Sequence, residues 1–338
     1  MPPIQIKLTF IEGLRNIVID EISKYPNLHL IKEEKEVFYF DFISDFKTLE
    51  NLRSVLRVYA VFEDEKFNPF YISNHKSIIG NLVDLVLKNG TGKFRTFKLS
   101  CAGADTKEVR EIIEYITQTY KLDEDEDADV KIHIIKPGEL WEVGVQLTRR
   151  PLTVRDYKVE NIKGGINPTI AYAMNSLAGL NSATSCLNIF SGSATLLIEA
   201  ARIKPELKLI GFDINNKTVS LAIQNIKKAG LIKSIQLKAI DIFDKPNLGI
   251  FDVITSDLPF GMLVSKDEDL EKLYQCFVDY CEDTLNHNGK LVVYTSEHET
   301  LKKILVQSKF KISKTLDLKF LTSVNAYLYP KVFVCELK

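Results

Sequence analysis

The order of apolar and polar positions changes character along the chain, and the changes mark out its parts. Residues 4–10 alternate like a half-buried strand. Residues 13–25 place Leu14, Ile17, Val18, Ile22 and Tyr25 at helical spacing. Residues 37–42 read as another strand, 45–57 as a helix and 58–63 as extended chain. Together, residues 1–65 read as a small α+β unit.

A second unit is expected over 66–150. It opens with a helix at 78–87, a strand at 94–100, and a helix at 106–120 whose stripe is Val109, Ile112, Ile113 and Ile116. Strands at 130–135 and 140–147, joined by Lys136-Pro137-Gly138-Glu139, read as a closing hairpin with Trp141 in its core. The run Asp123 to Asp127 reads as a solvated acidic turn. Residues 151–167 read as a linker; with the preceding Arg149 and Arg150 it carries a basic face.

From 168 to 338 short apolar runs alternate with helical segments, the signature of βαβ units and a parallel sheet. Strands are expected at 185–190, 208–213, 235–239, 251–255, 290–295, 311–318 and 331–337, and helices at 195–203, 216–228, 268–285 and 298–307. With no helix between them, the last two strands should pair antiparallel.

Composition narrows this picture little. The chain has 338 residues, 45% of them apolar and 26% charged, with a net charge of −1, so any nucleic-acid surface must be local. Five scattered cysteines without a C-x-x-C pair argue against a disulfide scaffold or zinc site and fit a reducing, cytoplasmic setting. The five histidines share no ligand spacing, so no metal is expected. No run approaches the ~18 apolar residues a membrane span needs, and no exposed heptad departs from a monomer. Lys93, Arg95 and Lys98 alternate along one strand, and with Arg149, Arg150, Arg155 and Lys158 they can form a phosphate-tracking stripe.

Chemistry concentrates at the carboxyl ends of the expected parallel strands. The first junction, Leu187-Asn188-Ile189-Phe190-Ser191-Gly192-Ser193-Ala194-Thr195, is a small-residue turn into an apolar helix, suited to close ligand approach or simply to tight packing. Asp213, about 20 residues on, suits ribose hydroxyls or a helix cap. Asp241 follows the third strand, where a carboxylate accepts from an adenine amine or closes a turn. The fourth strand runs into Ser256-Asp257-Leu258-Pro259-Phe260-Gly261. An amine conjugated into a base is a poor nucleophile that must be held in line with its methyl donor. Asp257 and the Leu258 carbonyl can accept its hydrogens, Pro259 stiffens the loop, and Phe260 can stack on the base.

At these residues the chain resembles the THUMP-domain RNA methyltransferases, and among them the tRNA guanine-N2 methyltransferases acting on acceptor-stem position 6. The resemblance implies a Rossmann-like class I methyltransferase domain with a seven-stranded sheet and an antiparallel last strand, over 168–338. It implies a ferredoxin-like domain at 1–65 and a THUMP domain at 66–150 that docks on the tRNA 3′ end and acceptor stem. It implies S-adenosyl-L-methionine as cofactor, held by Asn167, Thr169, Gly192, Asp213 and Asp241 with Pro168, Asn188, Phe190, Ser193, Thr195, Ile214 and Ile242 around them. It implies base contacts from Asp257, Leu258, Pro259 and Phe260. Where the family carries Asp-Pro-Phe-Cys-Gly-Ser-Gly-Thr, this chain has Asn188, Ile189, Ser191 and Ala194. The missing carboxylate and the added Cβ predict weaker cofactor binding. Methylation of ribosomal-RNA guanine or of adenine, and a non-catalytic RNA-binding protein with a degenerate pocket, are the alternatives.

Overall fold

The computed structural model describes residues 5–42, 46–64, 67–71, 75–90, 93–101, 106–260, 270–323 and 326–338. Gly261 and the first residues of the helix expected at 268–285 lie outside them. The chain divides into two compact units: residues 1–10 with 18–152, and residues 11–17 with 153–338.

The first unit is built on one eight-stranded sheet. In chain order its elements are β1 (Gln5–Thr9), α1 (Arg15–Ile22, which straddles the division), β2 (Leu28–Glu34), β3 (Val37–Phe42), β4 (Arg57–Asp64), α2 (Lys76–Asn89), β5 (Thr96–Cys101), α3 (Lys107–Tyr120), β6 (Asp123–Glu124), β7 (Val130–Ile135) and β8 (Trp141–Gln146). The strand order is β2-β3-β1-β4-β8-β7-β5-β6. The pair β4–β8 joins Tyr59 to Gln146 and Asp64 to Trp141, so the division expected at 65/66 falls inside a continuous sheet. Thr106 caps α3 through Val109 N, and Lys121 closes it in the left-handed conformation.

Two expectations fail here for identifiable reasons. The helix expected at 45–57 shrinks to a six-residue 3-10 helix, Phe46–Asn51. The buried Glu21 carboxylate takes the backbone N–H groups of Arg53 and Ser54, which draws that stretch out of helical pairing. Strand β2 had no expectation because only Leu28 of its seven residues is buried, so it lacks an alternating signal.

The second unit follows with α4 (Pro168–Leu177), β9 (Ser185–Ile189), α5 (Thr195–Ile203), β10 (Lys208–Asp213), α6 (Asn216–Lys228), β11 (Ile235–Ala239), β12 (Phe251–Asp257), α7 (Leu270–Thr284), β13 (Leu285–Thr295), α8 (His298–Gln307), β14 (Phe310–Asp317), β15 (Phe320–Ser323), β16 (Ala326–Leu328) and β17 (Lys331–Leu337). Its seven-stranded sheet has the order β11-β10-β9-β12-β13-β17-β14. Pairing is parallel from β11 through β13, while β17 runs antiparallel to both β13 and β14. The order reverses between β9 and β12, which is where an open α/β sheet leaves a crevice for a ligand.

From Thr153 onward, the stretch read as a linker belongs to this unit. Glu199 on α5 accepts from Tyr157 Oη at 2.6 Å and Arg155 Nε at 3.3 Å. Asn225 on α6 bonds both the N–H and the carbonyl of Glu160. These buried amide and carboxylate anchors fix residues 155–160 against the two helices.

Candidate functional site

The crevice is a cavity of ≈ 360 Å³ at the carboxyl ends of the parallel strands. Its first wall is the loop after β9. Phe190, Gly192 and Ala194 adopt φ of 56°, 49° and 61°, so the backbone curls through three left-handed residues in five. Gly211 on β10 makes room for this curl, because a Cβ there would lie 2.4 Å from Ser191 Oγ and 2.6 Å from Leu197. The Gly192 N–H then reaches Asp213 Oδ2 at 3.0 Å, tying the loop to the end of β10.

Asp213 does not cap the following helix. Asn215 does so, accepting from Lys217 N and Thr218 N, and the Asp213 carboxylate stays in the cavity wall. Asp241 lines the cavity as well and also closes a turn, accepting from Phe243 N at 3.0 Å. Phe190, Ile214, Ile242 and Phe243 supply apolar surface between these carboxylates. Ile214 and Phe243 are 62% and 48% exposed, more than a folded core tolerates for side chains of that size and consistent with a surface meant to be covered.

The opposite wall is the end of β12. Asp257, Leu258, Pro259 and Phe260 all line the cavity. Leu258 is fully buried and its N–H bonds the Tyr294 carbonyl at 3.0 Å, which anchors the loop to β13. Tyr274 Oη donates to the Pro259 carbonyl at 2.8 Å and contacts Thr295 Oγ1 at 2.9 Å. Between these anchors Asp257 Oδ1 is buried with no hydrogen-bond partner among the described residues. Loss of hydration pushes the Asp257 carboxyl up to about 8, and Lys158 opposes that rise. A polar acceptor left open at the cavity wall is poised for a donor on a ligand.

Several expected residues sit elsewhere. Asn188 is fully buried; its Nδ2 donates to the Thr255 carbonyl at 3.0 Å and it does not line the cavity. Ser193 and Thr195 bond each other at 2.8 Å, also behind the wall. Ala194 is buried too, so its Cβ does not narrow the cavity. Asn167 caps α4 through Thr169 N, Pro168 opens that helix, and Thr169 is buried. Six of the expected cofactor residues, Asn167, Pro168, Thr169, Asn188, Ser193 and Thr195, thus stand outside the cavity lining.

Sequence reasoning missed the segment Ile162-Lys163-Gly164-Gly165, which forms part of the cavity rim. Its two glycines fall within the stretch read as a linker with a basic face. The stronger signal was the approach they permit: a Cβ on Gly165 would sit 3.1 Å from the Ile162 carbonyl. Phe212, Asn215, Thr218, Ile240 and Leu273 complete the lining without having been expected.

The expected basic stripe is broken up. Arg155 is buried on Glu199, and Lys158 is half-buried with Nζ donating to the Ile166 carbonyl at 3.2 Å. Lys98 pairs with Glu126, and Arg149 bonds Asp129 at 3.0 Å. Lys93, Arg95 and Arg150 are exposed. Asp129 itself lies below the usual carboxylate range, first because the Arg95 backbone N–H bonds it.

Comparison with known proteins bears on this geometry. Residues 155–320 match the family model of the RMKL-like methyltransferase domain. The chain is 33% identical over 164 residues to the U6 snRNA (guanine-N(2))-methyltransferase THUMPD2 of Bos taurus, a stretch covering 47% of this chain and 31% of that protein. It thus spans about a third of that relative's length. It is 21% identical over 369 residues to the tRNA (guanine(6)-N2)-methyltransferase of Methanocaldococcus jannaschii, covering 93% and 96% of the two. The crystal structure of TrmN from Thermus thermophilus superposes with a TM-score of 0.74 at 22% identity, covering 99% of this chain and all of that one. The second unit has the Rossmann-like class I methyltransferase fold with an antiparallel strand inserted beside its edge. Among the described residues, no helix is long and apolar enough to cross a membrane.

Proposed function

We propose that this chain transfers a methyl group from S-adenosylmethionine to the exocyclic N2 amine of a guanine in RNA, with tRNA as the substrate. The observation that carries the reading is the open Asp257 carboxyl on the Asp257-Leu258-Pro259-Phe260 loop, in one cavity with Asp213 and Asp241. The residues present fit the cofactor. Asp213 can accept from ribose hydroxyls and Asp241 from an adenine amine, while Phe190, Ile214 and Phe243 flank the ring. Asn188, replaced relative to the family pattern, stands behind the wall, which favours a working site over a relic.

When bound, the cofactor supplies an electrophilic methyl on a sulfonium. The chain's own residues present the acceptor. Asp257 and the Leu258 carbonyl take hydrogen bonds from the two amine hydrogens, turning the nitrogen lone pair toward the methyl. Phe260 stacks on the base, and Tyr274 holds the loop by its Pro259 carbonyl. As the N–C bond forms the amine turns acidic, and Asp257 can take the proton it sheds. The relatives named for guanine-N2 methylation of tRNA and of U6 snRNA support the base, and the archaeal one, matched over nearly its whole length, supports tRNA. An acceptor-stem guanine, an RNA-holding role for the ferredoxin-like and THUMP segments of the first unit, and a monomer acting in the cytoplasm complete the reading.

The test is transfer from methyl-labelled S-adenosylmethionine to unmodified transcripts of tRNA and of U6 snRNA, followed by nucleoside analysis. Label in N2-methylguanosine from tRNA supports the proposal. Label only from U6 moves the substrate, label in N6-methyladenosine moves the base, and no label in either RNA overturns the reading.

A further inference from the structure

The hairpin β15–β16 rises between β14 and β17 and shows one aromatic face. Leu321 pairs across it with Tyr327, and residues opposite one another in an antiparallel pair point the same way. Tyr329, just past the end of β16, keeps its ring centroid 6.4 Å from that of Tyr327. Leu321, Tyr327 and Tyr329 are 58%, 50% and 58% exposed. Lys319 lies over both rings, its Nζ 4.7 Å from the Tyr327 centroid and 5.8 Å from that of Tyr329. A two-stranded hairpin has no core of its own to use such a surface, and folding of the sheet beside it does not require one.

Position and charge say what the face meets. Strand β14 runs parallel to β12 and β13, because β17 is antiparallel to both β13 and β14. The hairpin therefore leaves the sheet at the same edge as Asp257. It stands two to three strand positions from β12, roughly 10–14 Å at the usual spacing. Lys314 is exposed midway along the adjoining edge strand, and Asp317 is paired with Lys331 at 3.1 Å. Glu12 is 3.9 Å from Lys319, a distance that leaves the ammonium over the rings.

We infer that the Lys319–Tyr327–Tyr329 face is a stacking platform for unpaired RNA bases flanking the nucleotide delivered to Asp257. Every base has a π-face, so two tyrosines beside lysines hold a strand with little demand on its sequence. A base turned out of a stack into the cavity leaves neighbours that need such a surface. The inference rests on the reading of the chain as an RNA methyltransferase.

The test is steady-state methyl transfer by the full chain on the RNA transcript that serves as substrate, with the Tyr327→Ala/Tyr329→Ala double variant. The expected result is a rise in RNA KM of about tenfold or more, with the S-adenosylmethionine KM unchanged. Tyr327→Phe/Tyr329→Phe keeps the ring faces and should restore the parent KM, which separates stacking from a folding defect. Lys319→Gln should reduce the steepness with which added salt raises that KM. An unchanged RNA KM in the alanine variant overturns the platform and leaves the enzyme reading intact. Absence of methyl transfer by the unaltered chain overturns both.

Discussion

The Lys158 ammonium acts through its charge on the Asp257 carboxyl without bonding it, and is held in place by the Ile166 carbonyl at 3.2 Å. Burial lowers Lys158, and Asp257 raises it; burial raises Asp257 to about 8, and Lys158 lowers it. Tyr274 on α7 and Tyr294 on β13 also feel the Asp257 charge, and burial holds both phenols above their ordinary range. Accepting an amine hydrogen of developing acidity favours the carboxylate form of Asp257, so kcat/KM for RNA should rise with pH through about 8. Lys158→Met removes the opposing cation. The midpoint should move upward, with activity lost at pH ~7.5 and recovered by pH ~9.5. A pH–rate profile whose midpoint ignores this substitution would disprove the coupling.

The same carboxyl makes stability depend on pH. Its folded pKa of about 8 lies above the ordinary 3.8, so the fold favours the neutral acid. That contribution is complete below the unfolded value and is lost as pH rises through the folded one. Asp257→Asn cannot ionise. Against denaturant it should match the parent near pH ~3.5 and exceed it by roughly 1–3 kcal/mol near pH ~9, a figure reduced for the part of the side chain that water reaches. Methyl transfer by the same variant should fall by at least about a hundredfold, since a neutral amide oxygen is a weaker acceptor than a carboxylate and cannot take the proton the amine sheds. Equal stability at alkaline pH would mean that water solvates the carboxylate in the folded protein.

Much of the second unit was legible because each parallel strand and its helix repeat the same change of period. The bounds expected for β10, β11, β17, α6 and α8 agree with those observed. Helix α4 was not legible, although Asn167-Pro168 is a regular helix start, because its first eight residues are all buried and show no polar face. At the site, the residues ending β10 and β12 line the cavity, since strand ends in such a sheet point at the crevice. Asn188, Thr169 and Thr195 lie within a few residues of that wall, yet sequence neighbourhood does not fix the side on which a side chain falls. Ala194 illustrates the same limit: its cost is a left-handed φ of 61°, a strain of about 1–2 kcal/mol in the backbone, and not an obstruction of the cavity.

Restoring the family's acidic residue should harm the protein. Asn188 Nδ2 donates to the Thr255 carbonyl at 3.0 Å, and the side chain is wholly enclosed. Asn188→Asp puts a carboxylate oxygen against that carbonyl with no donor between them. The variant should lose about 2–4 kcal/mol at neutral pH. Because the buried acid prefers its neutral form, and that form can again donate, the loss should shrink as pH falls toward ~5. Thermal unfolding across pH checks both points. A variant as stable as the parent at pH ~7.5, with tighter S-adenosylmethionine binding, would show that position 188 reaches the cofactor after all.

In the first unit, Gly144 is needed for His133 to reach Glu142. The His133 ring lies over Gly144, where a Cβ would be 2.3 Å from Cε1 and 2.5 Å from Nε2. Its Nε2 sits 2.7 Å from Glu142 Oε1, which also takes Lys7 Nζ at 2.7 Å, while Tyr39 Oη donates to Oε2 at 3.1 Å. Burial pushes the Glu142 carboxyl up, but the His133 hydrogen bond and Lys7 outweigh it and hold the group below the usual range. A carboxyl depressed in this way stabilises the fold above its unfolded pKa, and that stability is lost as pH falls through the folded value. Gly144→Ala displaces the ring, so it should cost about 1–3 kcal/mol at neutral pH and flatten the decline of stability with acid. If the ring is the cause, His133→Ala should cost a similar amount, and adding Gly144→Ala to it should cost almost nothing more. Denaturant titrations of the two single variants and the double variant decide this, and additive losses would place the cost in the β8 backbone instead of the His133–Glu142 bond.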